Sequence, residues 1–218
     1  MMKKVFVLLL AAVMVMALLA GCGAKKNYAE NNTEFVIGVS GPLTGSAAIY
    51  GVAVKNAAQM AIDELNAAGG FNGIKFKLVP MDDKNDPSLV SGNYSALLEG
   101  GMQISLGTVT TKPGMEFKSL SKEENLFYLT PSASGDDIVG GGNGFQMCFA
   151  DGNQGEGAAG YVNQNYAGQT IGVFYKSDDP YSNGIYEQFK ANLDSSVTTV
   201  EAVFTSRPPL TSPPRWQP

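Results

Sequence analysis

Hydroxyl side chains and glycines are concentrated in three loops of this sequence, each directly after a short apolar run. The loops are residues 40–46, 108–111 and 130–134. Hydroxyl groups and the free backbone N–H groups at helix starts are hydrogen-bond donors suited to a carboxylate. Serine and threonine also cap helices and fill turns, so one such loop is weak evidence for a site. Three loops at equivalent strand ends predict a common site for the charged end of a small ligand.

The composition excludes several classes of function. The chain has 218 residues, a net charge of −5, no histidine and two cysteines, Cys22 and Cys148. Without histidine, Ser-His-Asp and Cys-His catalysis are unavailable and the commonest zinc ligand is missing. The acidic balance and the lack of a basic cluster argue against a nucleic-acid partner. We predict a binding protein with no catalytic residue, metal or cofactor, in which Cys148 is a small buried apolar residue.

Alternating apolar runs and amphipathic segments predict an α/β fold with a parallel sheet flanked by helices. Residues 35–70 are typical of a strand, a polar loop and a helix that Gly69 and Gly70 end. In such sheets, small ligands bind beyond the carboxyl ends of the strands, against helix amino termini. The predicted strands are residues 35–39, 74–78, 102–107, 126–129, 145–150, 170–175 and 197–204.

The segment MDDKNDP carries Asp82, Asp83 and Asp86, which invites a calcium interpretation. It departs from the EF-hand loop because Pro87 falls where a ligand is needed and no glycine follows. We predict instead that Asp86 is an N-cap and Pro87 the first residue of a helix.

The amino-terminal segment has the anatomy of a secretory signal. Lys3 and Lys4 precede a nearly continuous apolar run that ends in Leu-Ala-Gly-Cys22. This ending resembles the lipobox of bacterial lipoproteins, in which the cysteine is diacylated. The alternatives are an uncleaved anchor and an ordinary signal. We predict a signal peptide at residues 1–21, lipidation at Cys22, a flexible tether at 22–33 and a lipid-anchored protein on the extracytoplasmic face of the cell membrane.

The last thirteen residues, 206–218, differ from the rest of the chain. They hold five of the eleven prolines, the only tryptophan and both arginines. Two interpretations are open: translation out of frame, and a natural proline-rich tail.

Residues 34–204 resemble bacterial ABC-transporter substrate-binding proteins of the leucine/isoleucine/valine-binding type, which are periplasmic binding proteins of type I. The matching stretches are IGVSGPLTGSAAIYG, GGFNGIKFKLVPMDDKNDP, LGTVTTKPG, YLTPSAS and Asp179-Pro180-Tyr181. The resemblance implies two α/β lobes that close on an amino acid. Residues 34–144 would form a partly complete first lobe and residues 145–205 the start of a second.

The resemblance also implies roles at the carboxylate end of a ligand. Thr110 and Thr111 match the serine-rich turn that holds the ligand carboxylate. Ser132 and Ser134 match positions that contact the carboxylate and the ammonium through backbone and hydroxyl groups, and Ala133 between them joins the expected ligand-binding set. Threonine in place of serine at the first turn keeps the hydroxyl groups.

Three further positions are expected to line the cleft. Tyr50 matches the aromatic residue that packs on the ligand side chain, and Asp151 and Tyr181 match positions of the second lobe. Family members are considerably longer, so the acidic residue that the family supplies later for the ligand ammonium is missing here. Unpaired strand edges and an open core are expected in the second lobe.

Two functions follow. The first is a solute-binding lipoprotein that delivers a branched-chain or similar small amino acid to an ABC permease in the membrane. The alternative is a truncated or frameshifted fragment of such a protein with little or no binding activity.

Overall fold

The computed structural model describes residues 34–206, which form two parallel sheets and five α-helices. The five-stranded sheet has the order β2-β1-β3-β4-β5, and the second sheet pairs β6 with β7. The predicted signal, tether and lipidation site, and tail residues 207–218, lie outside the described residues. The elements are β1 (Glu34–Gly41), α1 (Ala48–Ala67), β2 (Lys75–Asp82), α2 (Val90–Glu99), β3 (Ile104–Thr108), α3 (Thr111–Glu124), β4 (Tyr128–Thr130), β5 (Gly144–Gln146), α4 (Asp151–Asn165), β6 (Thr170–Lys176), α5 (Pro180–Ala191) and β7 (Thr198–Phe204).

Strand β1 is an interior strand of the first sheet, between β2 and β3, and its apolar run is covered on both faces. Val36 and Val39 are buried. Ile37 pairs with Leu78 on β2 and with Ile104 on β3, both in the parallel direction. The α/β fold with a parallel sheet and flanking helices, predicted from the pattern of apolar runs, is confirmed.

Helices α2 and α3 pack on one face of this sheet around a cluster of aromatic rings. Phe117 lies between Tyr94 and Tyr128, with ring centroids 5.2 and 5.4 Å apart in edge-to-face geometry. Right-handed crossover connections place α1, which joins β1 to β2, on the opposite face. The Asp86 carboxylate accepts a hydrogen bond from the Ser88 N–H at 2.9 Å and caps the short 3-10 turn that leads into α2, as predicted.

In the second sheet, α4 and α5 pack against each other through small residues. Gly155 and Ala159 of α4 are buried, and Gly155 lies directly against the α5 backbone. The ring of Tyr186 on α5 stacks on Tyr175 of β6 with centroids 3.7 Å apart. Helix α5 therefore covers one face of the β6–β7 sheet, and α4 packs against α5.

Each sheet also has an apolar area on one face that stays exposed within residues 34–206, and in the first sheet this area lies beside β4 and β5. In the first sheet this face carries Phe127, Phe145 and Met147, which are 43%, 52% and 70% exposed. In the second, Phe174 is 67% exposed and stacks on Phe204 with centroids 4.7 Å apart. We call these surfaces the bare aromatic faces.

Residues 145–150 do not form the single strand predicted for them. Only Gly144–Gln146 is a strand, and it pairs with β4 in the first sheet. The Met147 N–H donates to the Thr130 carbonyl at 3.0 Å, after which the chain follows the turn at residues 132–134 to the start of α4. Because β4 ends at Thr130, β5 has no further backbone partner to extend it.

Among the described residues, no helix combines the length and apolarity that a bilayer span requires.

Candidate functional site

A cavity of about 400 Å³ opens at the carboxyl ends of β3 and β4. Seven of the eight predicted ligand-binding residues line it; Asp151 is not among the lining residues. The seven are Tyr50, Thr110, Thr111, Ser132, Ala133, Ser134 and Tyr181. This volume falls within the range of small-molecule sites.

The amino terminus of α3 points uncapped hydrogen-bond donors at this cavity. Thr110 is the N-cap residue with an extended backbone, but its side chain makes no capping bond, and its buried hydroxyl has no partner among the described residues. The Gly114 N–H donates to the Thr110 carbonyl at 3.1 Å, and Pro113 has no N–H. The open first-turn donors are therefore the N–H groups of Thr111 and Lys112, where the helix dipole favours an anion.

Thr111 has a structural bond that Thr110 lacks. Its buried hydroxyl oxygen accepts a hydrogen bond from the Gly135 N–H at 3.2 Å. This bond joins α3 to the turn after β4, and the hydroxyl proton of Thr111 is left for another acceptor.

The turn at residues 132–134 has all three of its carbonyl groups bonded to donors from residues 146–151. The Ser132 and Ala133 carbonyls accept from the Cys148 thiol at 3.3 and 3.4 Å. The Ser134 carbonyl accepts from the Asp151 N–H at 2.8 Å and from the Gln146 side-chain amide at 3.3 Å. The protein itself thus engages the acceptor edge of the turn.

Asp151 is a buried carboxylate at the first position of α4. Its side chain is 1% exposed, and neither carboxylate oxygen makes a hydrogen bond of normal geometry within residues 34–206. Burial raises the pKa of Asp151; the nearby Ser134 hydroxyl partly offsets this, and the negative charges of Asp136 and Asp179 raise it further. Such a group favours a proton or a cationic partner.

Three exposed aromatic side chains form the outer wall of the cavity. Tyr50, Phe149 and Tyr181 line it and are 60%, 65% and 44% exposed. The Asp179 carboxylate accepts from the Tyr181 N–H at 3.1 Å and pairs with Lys176 at 3.5 Å, which holds the start of α5 in place.

The sequence predicted that the hydroxyl groups of residues 40–46 share the site, but none of these residues lines the cavity. Ser40 is buried and donates to the Asp83 carboxylate at 3.1 Å, and Thr44 donates to Asp82 at 2.6 Å. The two acids at the end of β2 use these hydroxyls, so the loop contributes Ala47 and Tyr50 to the site instead.

Asp82 holds the loop that leads to Tyr50. Its carboxylate accepts from the N–H groups of Leu43 and Lys84 at 2.8 and 3.0 Å, besides its two bonds from Thr44. Although partial burial raises the pKa of Asp82, these hydrogen bonds dominate and lower it.

Asp82→Ala is expected to lower the free energy of unfolding by about 1–2 kcal/mol at pH 7. Because the folded-state pKa is lowered, this stabilisation is present above the ordinary aspartate pKa and is lost as the pH falls through the folded value. Urea unfolding of parent and variant from pH 7 to pH 2.5 should show that the difference between their free energies of unfolding disappears below about pH 4. Asp137→Ala, an exposed acid, is the control; an equal loss in both variants would contradict this role.

Sequence reasoning missed several cavity residues. Cys148 was expected to be a buried apolar residue, but it is half-buried and its thiol contacts the turn at residues 132–134. One sequence signal could have identified Cys148 and Phe149 as cavity residues. They follow the end of β5, the next strand in the sheet after β3 and β4. The other missed residues are Ala47, Asn85, Val109, Lys112, Gln154 and Asp179. No cluster of three or more histidine, cysteine or acidic side chains within residues 34–206 is arranged to hold a metal ion.

A parallel α/β sheet with a cavity at its carboxyl edge is the architecture of a small-molecule binding protein. A family model described as periplasmic binding protein matches residues 34–213. The chain belongs to this family, which confirms the resemblance found in the sequence.

Two relatives and one solved structure show the extent of the similarity. The chain is 32% identical over 168 residues to Leu/Ile/Val-binding protein homolog 3 of Brucella melitensis, and 31% identical over 170 residues to the Leu/Ile/Val-binding protein BraC3 of Rhizobium johnstonii. These alignments cover 76% and 77% of this chain but 45% and 46% of the relatives. The substrate-binding protein LivJ of Streptococcus pneumoniae, solved with isoleucine, has a TM-score of 0.73 at 24% identity, covering 80% of this chain and 50% of LivJ. The chain therefore spans about half the length of the proteins it matches.

Proposed function

We propose that the chain is the ligand-binding part of an ABC importer's solute-binding protein, and that it binds a small amino acid in the cavity beyond β3 and β4. The observation that carries this proposal is that the α3 amino terminus and the turn at residues 132–134 line the same cavity. The names of the relatives, which refer to leucine, isoleucine and valine, support a branched-chain ligand.

The carboxylate of the ligand would bind at the start of α3. The N–H groups of Thr111 and Lys112 and the Thr110 hydroxyl supply hydrogen bonds there. Hydrogen bonds to an ionised acceptor are about twice as strong as neutral ones, and the helix dipole adds to them. The Ser132 and Ser134 hydroxyls supply further donors from the facing turn.

The ammonium of the ligand would bind towards Asp151. Because the carbonyl groups at residues 132–134 already accept hydrogen bonds, the unsatisfied acceptors near this turn are the Asp151 carboxylate oxygens. Burial deprives this carboxylate of hydrating water. Hydrogen bonds from the ligand ammonium would compensate for that loss, so the pair would be favourable when the ligand is bound.

The aromatic wall would enclose the ligand side chain. Tyr50 and Tyr181 come from different helices, α1 and α5. Their side chains are 60% and 44% exposed, which is high for large aromatic residues. Movement of these helices towards each other on binding would cover the rings and exclude water from the charged groups.

We further propose that the protein is a lipid-anchored lipoprotein outside the cytoplasm, held to the membrane through Cys22, with the permease as its partner. The support is the signal and lipobox pattern of residues 1–22. The alternative is a truncated or frameshifted fragment of such a protein with little or no binding activity, and the half-length coverage of the relatives is consistent with a fragment.

A thermal-shift panel tests the function against this alternative. The full chain carrying Cys22→Ser, purified in mild detergent, is melted with each amino acid. A ligand at one hundred times its Kd stabilises by about 2.7 kcal/mol, which raises the melting temperature of a chain of this size by about 5–10 °C. A rise with leucine, isoleucine or valine supports the proposal. A cooperative transition that no amino acid shifts would favour the fragment.

Thr110→Val is expected to weaken binding of the ligand carboxylate about tenfold, because it removes one hydrogen bond to an ionised group. The melting temperature of the ligand-free protein should stay unchanged, since the Thr110 hydroxyl has no internal partner. Thr111→Val is the matched control. It removes the bond from Gly135 and should lower both affinity and stability. Calorimetry with leucine measures the affinities, and an unchanged Kd for Thr110→Val would reject this carboxylate site.

A further inference from the structure

Cys148 contacts the ligand-binding turn from the segment that leads from β5 to α4. Its sulfur lies 3.3 Å from the Ser132 carbonyl oxygen and 3.4 Å from that of Ala133. The thiol has one proton, so the two carbonyl groups share it. These distances are short for hydrogen bonds of sulfur, and the residue lines the same cavity as the turn.

The surroundings of Cys148 keep the thiol protonated and oriented. The Gln146 amide donates to the sulfur at 3.9 Å and to the Ser134 carbonyl at 3.3 Å. The sulfur therefore accepts from Gln146 and donates to the turn, and hydrogen bonds in such a chain strengthen one another. Burial and the negative charge of Asp151 raise the pKa of the thiol, so its proton is present at neutral pH.

The contacts of Thr130 show what this arrangement does to the turn. The Thr130 hydroxyl donates to the Ala133 carbonyl at 3.1 Å, on the same acceptor edge. Donors from β4 and from residues 146–151 together bind all three carbonyl groups of residues 132–134. Because these donors occupy its carbonyl groups, the turn has its N–H and hydroxyl groups left to offer a ligand in the cavity that it lines.

We propose that Cys148 is a positioning residue for the ligand site, holding the Ser132 and Ala133 carbonyl groups away from the ligand so that the donor edge of the turn faces the carboxylate. This inference rests on the proposed function. It goes beyond a packing role, because a side chain of the same size without a donor would leave the Ser132 carbonyl unbonded and free to rotate towards the ligand carboxylate and repel it, while the Ala133 carbonyl would keep only its bond from Thr130.

Two variants separate the donor from the volume of the side chain. Cys148→Ser keeps a proton that both carbonyl groups can accept, and Cys148→Val keeps the volume without a donor. Both are made in the full Cys22→Ser chain in mild detergent, and Kd for leucine, isoleucine and valine is measured by calorimetry. We expect Cys148→Ser to bind within about twofold of the parent and Cys148→Val about five- to tenfold more weakly, with melting temperatures within about 2 °C of each other.

Equal affinities for the serine and valine variants would overturn the proposal, as would a loss of affinity in both. If Cys148→Val fails to fold, Cys148→Ala takes its place in the same comparison. If the parent binds no amino acid, the proposed function has failed, and the Raman S–H stretching band decides the inference separately, because Cys148 is then the sole cysteine. A band shifted to lower frequency than in the urea-unfolded chain supports the bonded thiol, and an unshifted band refutes it.

Discussion

Asp151→Asn is expected to weaken amino-acid binding at least about 30-fold while raising the stability of the ligand-free protein. Removing one partner of a desolvated charge pair costs about 2–5 kcal/mol of binding free energy, which is 30-fold or more in Kd. Without ligand, the same carboxylate is buried and has no hydrogen bond of normal geometry. Its removal should therefore increase the free energy of unfolding by about 1 kcal/mol at pH 7.

The pH dependence of this variant follows from the raised pKa of Asp151. A carboxyl group whose folded-state pKa is raised binds its proton more tightly when folded, so its contribution to stability is largest at low pH and is lost as the pH rises through the folded value. The stability gained by Asp151→Asn should accordingly disappear below the ordinary aspartate pKa. The affinity of the parent should fall as Asp151 is protonated, whereas the Kd of the variant should not change over that range.

Asp137→Asn removes the same charge from an exposed position nearby and is the matched control. It should leave Kd and the unfolding curve unchanged. Calorimetry with leucine gives the affinities, and urea unfolding at pH 7 and pH 3 gives the stabilities. An Asp151→Asn protein that binds as tightly as the parent would exclude Asp151 as the ammonium partner.

Gly155→Ala is expected to destabilise the protein by about 3 kcal/mol, because the added methyl group overlaps a neighbouring helix. A Cβ atom on Gly155 would overlap the Ile185 carbonyl oxygen and lie 2.7 Å from the Phe189 nitrogen. Both of these atoms belong to the α5 backbone, so relief requires the two helices to move apart. That movement would also displace Asp151, the first residue of α4, and Tyr181, the second residue of α5.

Gly157→Ala is the control for helix propensity. It lies two residues further along α4, where a Cβ atom meets no neighbour within 4 Å. Alanine is better than glycine inside a helix by roughly 1 kcal/mol, so this variant should be more stable than the parent. Chemical unfolding followed by circular dichroism measures both. Equal stability of the two variants would show that α4 and α5 are not in backbone contact.

The sequence predicted the sheet well because β1 and its neighbours are short apolar runs separated by helices of the right length. It also predicted the cavity at residues 110–111 and 132–134, because the carboxyl ends of adjacent parallel strands lie together. It did not predict which hydroxyl groups stay available. In the sequence, Ser40 and Asp83 look like ligand-binding residues, because both are polar and follow an apolar strand. Their hydrogen bond to each other forms only when β1 and β2 pair.

Cys148 illustrates the same limit. A cysteine between methionine and phenylalanine has the sequence context of a core residue, and its exposure depends on where the chain leaves β5. That point is set by the end of β4 at Thr130, a non-local constraint that apolar periodicity does not contain.

The bare aromatic faces have a consequence for the behaviour of this chain at high concentration. Phe174 and Phe204 adjoin a two-stranded sheet in which, among the described residues, each strand has one outer edge without a backbone partner. Apolar surface beside unpaired N–H and C=O groups promotes association between molecules. We therefore expect colloidal stability rather than conformational stability to limit the purified protein, with light scattering rising with concentration well below the melting temperature.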